Sequence, residues 1–186
     1  YSSISQLLHR LILNHYNLGG WMLRKQVKDI DENIQPRAIL ITGLARAGTT
    51  ALTKWIAQSE EVKSLDYSNM PFLLYPRFWR KIYRPKKKSE QKERAHGDGV
   101  KVGLSSVEAL EEYFFKVVKN DSFINEDSLT QHNLSEGELS QYSRYQASIS
   151  GNHTYLAKNN NGLLRLEDLL KNPNQQVFIM YRDPLE

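Results

Sequence analysis

Residues 38–50 read Ala38-Ile39-Leu40-Ile41-Thr42-Gly43-Leu44-Ala45-Arg46-Ala47-Gly48-Thr49-Thr50. The opening five form a continuous apolar run with two β-branched isoleucines and no alternation, the pattern of a strand buried on both faces, as in a parallel sheet. Gly43 to Thr50 has the spacing G-x-x-x-x-G-T-T, and Thr49–Ser59 continues at helical period with Leu52, Trp55 and Ile56 on one side. Strand, glycine-bounded turn and helix in that order make an anion site: the turn brings backbone N–H groups close to a ligand, and the helix N-terminus adds the positive end of its dipole. Thr49 and Thr50 supply hydroxyls, and Arg46 supplies a guanidinium that forks onto an anionic oxygen. A nucleotide-binding P-loop carries Lys after its second glycine; position 49 here is Thr, and the cation has moved three residues earlier, to Arg46.

On the N-terminal side, Leu7, Leu8, Leu11, Ile12 and His15 form one stripe of a leading helix over 3–17, with Gly19-Gly20 as its stop and a second charged helix or linker over 24–31. Pro36 closes this segment of about 36 residues, and a nucleotide-binding core begins at about residue 38. On the C-terminal side the pattern predicts a strand over Val62–Leu65, a helix over 71–83 and a helix opened by a capping box at Ser105 and Glu108 and running to Lys119. A helix over 135–150, a strand over Thr154–Ala157, a helix over Gly162–Leu170 and a second buried strand over Gln176–Tyr181 complete it. Strands alternating with helices indicate an α/β protein built on an open parallel sheet flanked by helices. The length of 186 residues fits a single domain, 1–186.

Composition narrows the classes. There are 25 Lys and Arg against 21 Asp and Glu, a formal net charge of +4, and no cysteine, which excludes disulfides, thiolate metal sites and a cysteine nucleophile. Mean hydropathy is −0.58 and no apolar run approaches the ~20 residues of a spanning helix. The expected compartment is the cytoplasm, although the sequence opens at Tyr1 rather than at a methionine.

The loop Leu44-Ala45-Arg46-Ala47-Gly48-Thr49-Thr50 resembles the 5′-phosphosulfate loop of sulfotransferases, in the Arg form found in tyrosylprotein-type and many bacterial members. Ala45 and Ala47 stand where that loop usually has Pro and Ser. A second block, Val177-Phe178-Ile179-Met180-Tyr181-Arg182-Asp183-Pro184, resembles the family's 3′-phosphate motif. The segments Tyr67–Phe72, Ala95–Gly99 and Lys158–Asn161 resemble stretches of bacterial members. The resemblance implies a three-layer P-loop-like fold, represented by its N-terminal portion and incomplete at the C-terminus. It implies 3′-phosphoadenosine-5′-phosphosulfate as co-substrate, no metal, and transfer of a sulfuryl group to a hydroxyl or amine on a small-molecule, glycan or peptide acceptor. Cofactor-binding residues would be Arg46, Ala47, Gly48, Thr49, Thr50 and Arg182, with Arg46 also stabilising the leaving phosphate.

A hydroxyl acceptor needs a base. Three candidates stand side by side: Asp66 after the second strand, and His96 and Asp98 in the turn Ala95–Gly99. Each has a plainer reading, as a cap, a loop donor and an Asx turn respectively. Lys158 and Asn159–Asn161 follow a strand and so belong either to the ligand side of the sheet or to a polar turn. Arg165 reads as a helix-surface residue. From Arg77 to Arg94 there are nine Lys and Arg against Glu90 and Glu93, which suits an anionic ligand or simply a solvated face; no nucleic-acid-reading motif accompanies it. Two other functions remain open: a nucleotide kinase or NTPase with a degenerate phosphate loop, and a non-catalytic nucleotide-binding module.

Overall fold

The structure, a computed structural model, describes residues 12–83, 92–93, 101–102 and 107–183. Helix α1 (Tyr16–Val27) leads to strand β1 (Ala38–Gly43), helix α2 (Thr49–Ile56), strand β2 (Val62–Lys63) and helix α3 (Pro76–Ile82). A small antiparallel pair, β3 (Lys92–Glu93) and β4 (Lys101–Val102), precedes helices α4 (Glu112–Lys119) and α5 (Glu136–Ser150). Strand β5 (Thr154–Lys158), a 3-10 turn (Asn160–Arg165), helix α6 (Leu166–Leu169) and strand β6 (Gln175–Met180) follow. The four longer-range strands form one parallel sheet in the order β2-β5-β1-β6, flanked by helices, so the α/β expectation holds.

All strands of this sheet end on the same side. Opposite each other lie Ile41 and Lys158 on β1 and β5, and Gly43 and Met180 on β1 and β6. The central strands are buried, with Ile41, Tyr155 and Leu156 fully enclosed. Strand β6 departs from the expectation of a covered strand. It lies at the sheet edge with Phe178 42% and Ile179 50% exposed. An apolar run records strand propensity, and strand order, which decides cover, depends on the whole topology.

Helix α1 runs straight through Gly19-Gly20, the expected stop, and absorbs the first part of the segment read as a second helix. The reason lies across the interface: a Cβ on Gly19 would sit 2.7 Å from Val117 Cγ2, so this glycine admits α4 rather than ending α1. Helix α2 is shorter than expected and turns Thr49 and Thr53 inward while Trp55 is 70% exposed. The Thr53 hydroxyl donates to the Thr49 carbonyl at 2.7 Å, which satisfies it inside. Strand β2 ends at Lys63, and residues 71–75 form turns before α3. The capping box expected at Ser105 and Glu108 does not start a helix at 107–111; α4 begins at Glu112, and Ser105 itself lies outside the described residues. The box at Ser135 and Glu138 does form, and it opens α5. The helix expected over Gly162–Leu170 is divided into the 3-10 turn and the four-residue α6. No helix among the described residues is long and apolar enough to cross a membrane.

Neighbouring glycines in α1 are expected to respond in opposite directions. Gly19→Ala should cost about 1–2 kcal/mol, because overpacking against Val117 exceeds the gain in helix propensity. Gly20→Ala, whose Cβ meets only Arg24 Nη1 at 3.5 Å, should gain roughly 0.5–1 kcal/mol. Urea unfolding midpoints of the two variants check the pair.

Candidate functional site

Gly43 begins the loop because nothing larger fits. A Cβ there would lie 2.1 Å from the Met180 carbonyl oxygen on β6, and the residue has φ 146°. Arg46 at φ 66° and Gly48 at φ 87° take left-handed conformations on either side of Ala47. The Ala47 N–H between them donates to the Leu44 carbonyl at 3.3 Å, which closes the turn. Gly48 is the N-cap of α2 and brings no side chain, so the first turn of the helix keeps its N–H groups uncapped by side chains. A left-handed arginine carries a backbone cost of about 1–3 kcal/mol. Its side chain is exposed.

On the neighbouring strand, beside this loop, is Lys158, the last residue of β5. Its ammonium donates to Thr50 Oγ1 at 2.9 Å and lies 3.5 Å from Glu108 Oε2, with both charged side chains under 10% exposed. Of the two readings open for Lys158, the structure selects the inward one. The pair sets the lysine nitrogen against the hydroxyl of the loop's second threonine.

The segment after Lys158 is held by one carboxylate. Glu112 Oε2 accepts from Asn159 Nδ2 at 2.7 Å, and Glu112 Oε1 accepts from Asn161 Nδ2 at 3.2 Å and from Arg165 Nη2 at 3.0 Å. Arg165, expected on a helix surface, is fully buried, with its guanidinium 3.9 Å above the Phe115 ring and 5.1 Å from that of Phe123. A cation inside an apolar stretch has to be paired, and Glu112 is its pair.

Beside Glu112 is Glu111, fully enclosed. Burial pushes its carboxyl up to about 7, opposed by the hydrogen bond from the Tyr142 hydroxyl and by the positive charge of Arg165. The Tyr142 hydroxyl donates at 2.5 Å. Burial raises Tyr142, Tyr145 and Tyr155 well above the ordinary tyrosine range, so all three stay neutral.

The structure brings together Arg46, Ala47, Gly48, Thr49 and Thr50 on one loop, with Ala47 and Thr49 buried and Arg46 and Gly48 exposed. Arg182 is exposed, two residues beyond β6, at the same end of the sheet because Met180 lies opposite Gly43. Asp66 follows β2 at the far edge and caps the turn Tyr67–Asn69: its carboxylate accepts from the Ser68 amide, and its own amide donates to Asn69 Oδ1. His96 and Asp98 lie outside the described residues. Among the described residues no group of three His, Asp or Glu side chains could hold a metal ion. A cavity of about 360 Å³ beside Glu32, Asp168 and Gln175 opens at the start of β6, the opposite end from the loop.

Glu108, Glu112 and the burial of Arg165 were not read from the sequence. The available signal was a lone arginine within Leu163–Leu170 and paired acids before Tyr113-Phe114-Phe115. Charge inside apolar runs of that kind marks a buried pair.

The fold matches that of the sulfotransferase STF1 of Mycobacterium tuberculosis H37Rv with a TM-score of 0.60 at 16% identity, covering 97% of this chain and 56% of that one. Sulfotransferase STF9 of Mycobacterium avium aligns with a TM-score of 0.46 at 17% identity over 95% of this chain and 47% of that one. The chain therefore spans about half the length of these proteins. No family model and no curated protein matches the sequence.

Glu112→Ala should destabilise the protein by about 3 kcal/mol, since it strands a buried guanidinium, whereas Glu112→Gln with Arg165→Met, which removes both charges and leaves an amide oxygen for Asn159 and Asn161, should cost less. Thermal melts distinguish the two. The folded state holds the Glu111 proton at pH values where the unfolded chain, with an ordinary value of 4.5, has lost it. Stability should therefore fall as pH rises from 4.5 to about 7 and stay lower above it. Glu111→Gln should flatten that slope, read as melting temperature against pH.

Proposed function

We propose that this chain binds 3′-phosphoadenosine-5′-phosphosulfate at the loop 43–50 and serves transfer of its sulfuryl group to a hydroxyl or amine acceptor. The observation that carries the reading is the contact of Lys158 Nζ with Thr50 Oγ1 at 2.9 Å. It puts a buried cation beside uncapped helix N–H groups and a left-handed loop, a combination made for a doubly anionic oxygen cluster. The likeness of fold to STF1 supports the same reading.

In the proposed reaction an acceptor oxygen or nitrogen attacks sulfur in line. The bond from sulfur to the bridging oxygen breaks, and its electron pair leaves on the 5′-phosphate. The loop amides, the threonine hydroxyls and Arg46 hold that phosphate, so charge stabilisation and positioning supply most of the acceleration. Lys158 donates toward the bridging oxygen as negative charge develops there, with Glu108 Oε2 3.5 Å from its side-chain nitrogen. Arg182 is assigned to the 3′-phosphate. The acceptor proton goes to a base among Asp66, His96 and Asp98. Asp66 would have to serve while its carboxylate also accepts from the Ser68 amide.

Stabilisation by 3′,5′-bisphosphoadenosine, measured as a rise in melting temperature without added metal, tests the reading. Binding to the folded state alone raises stability by RT ln(1 + [L]/Kd). A larger rise with ATP and magnesium would favour the kinase alternative, and no rise with either would leave the reading without its donor. Arg46→Asn retains a residue tolerant of left-handed backbone and Lys158→Met keeps bulk; each removes a charge-assisted bond and should weaken the bisphosphate roughly tenfold to a hundredfold. Asp66→Asn, His96→Ala and Asp98→Ala should leave that binding intact, and the one that abolishes sulfate transfer by the longer protein identifies the base.

A further inference from the structure

Six aromatic rings form a continuous ladder where α3 meets α1. Trp21 meets Tyr75 edge-on at 6.3 Å, Tyr75 and Phe78 stack at 5.4 Å, and Phe72 contacts Phe78 at 5.5 Å. Trp79 lies between Phe72 at 4.9 Å and Tyr83 at 5.0 Å. Inward stacking fixes a short helix whose own seven residues could not hold it in water. On the outer side two strips remain. Phe78 and Ile82, one turn apart, are 37% and 63% exposed, and Trp21 on α1 is 46% exposed. Lys81 on α3, Arg24 and Lys25 on α1 and Lys28 just after it are exposed, with the Lys25 ammonium 5.9 Å over the Trp21 ring. Arg77 is engaged by Asp29 and by the Gln26 carbonyl and is not counted.

We propose that this face rests on the surface of a bilayer containing anionic phospholipid. Charge complementarity selects an anionic partner, and the apolar strip selects among anions. A nucleic acid or a sulfated glycan takes the cations through its phosphate or sulfate groups and leaves the exposed Ile82 without an apolar partner. What this face exposes is the Trp21 and Phe78 rings, Ile82 and long cationic stems. A lipid interface accepts all three: apolar groups enter the acyl boundary while Lys and Arg reach back to the phosphates. The attachment is peripheral.

Flotation of the full chain with vesicles of phosphatidylcholine, and with vesicles of phosphatidylcholine mixed with phosphatidylglycerol, tests this. Binding is expected to the mixed vesicles and to weaken as salt is raised. At about 1 kcal/mol for each cation near the surface, Lys25→Gln with Lys81→Gln should reduce vesicle affinity roughly 30-fold. Ile82→Ser should reduce it by roughly tenfold or more. All three positions are exposed, so an unchanged melting temperature confirms that loss of binding is not loss of fold. Three results overturn the proposal: no binding to either vesicle, full affinity in Ile82→Ser, or retention by heparin or single-stranded DNA without vesicle binding, which assigns the cations to a polyanion. Sulfate-donor binding is measured at a different face, so failure here leaves the proposed reaction standing, and the reverse also holds.

Discussion

One carboxylate organises the end of the sheet at which β1 and β5 finish. Glu112 is the first residue of α4, and its two oxygens take hydrogen bonds from Asn159, Asn161 and Arg165, about 50 residues away in sequence. A buried arginine is tolerable only with such a partner, and the aromatic rings of Phe115 and Phe123 then offer their faces to its charge. Fixing Asn159 and Asn161 fixes the end of β5, and with it the direction in which Lys158 leaves the sheet. The contact with Thr50 is a consequence of that chain of restraints. A cation on a free loop would be hydrated and mobile; this one is presented.

Parallel pairing supplies the second constraint. With β5, β1 and β6 adjacent and all running one way, their ends deliver Lys158, the loop after Gly43 and Arg182 to a single edge. Such crevices at strand ends are the usual ligand positions of open α/β sheets. Gly43 makes the close approach of β1 and β6 sterically possible at that edge, since the Met180 carbonyl occupies the space of any Cβ. The opposite edge holds a cavity with a different lining, so the two ends of the same sheet are chemically distinct.

Local features with local causes were legible. The run Ala38–Thr42 became β1, the G-x-x-x-x-G-T-T spacing became a left-handed loop at a helix start, and Ser135 with Glu138 became a capping box. Failures cluster where a distant partner decides. Gly19 looks like a stop because glycine weakens helices, yet Val117 requires it within one. Trp55 looks like a core residue by its period, and Thr53 takes that place because its hydroxyl is satisfied on the Thr49 carbonyl. Arg165 looks like surface because arginine usually is, and a carboxylate from another helix brings it inside.

The amino-acid sequence by itself determined the α/β alternation, the glycine-bounded turn between β1 and α2 and the basic character of the stretch around α3, because each rests on period, spacing or charge over a few neighbouring residues. Tertiary structure alone decided that Lys158 faces Thr50, that Glu112 clamps the segment after β5, and that β6 is an edge. Those outcomes depend on which remote groups share a low-dielectric interior, where an unpaired charge costs far more than in water and so dictates its own partner.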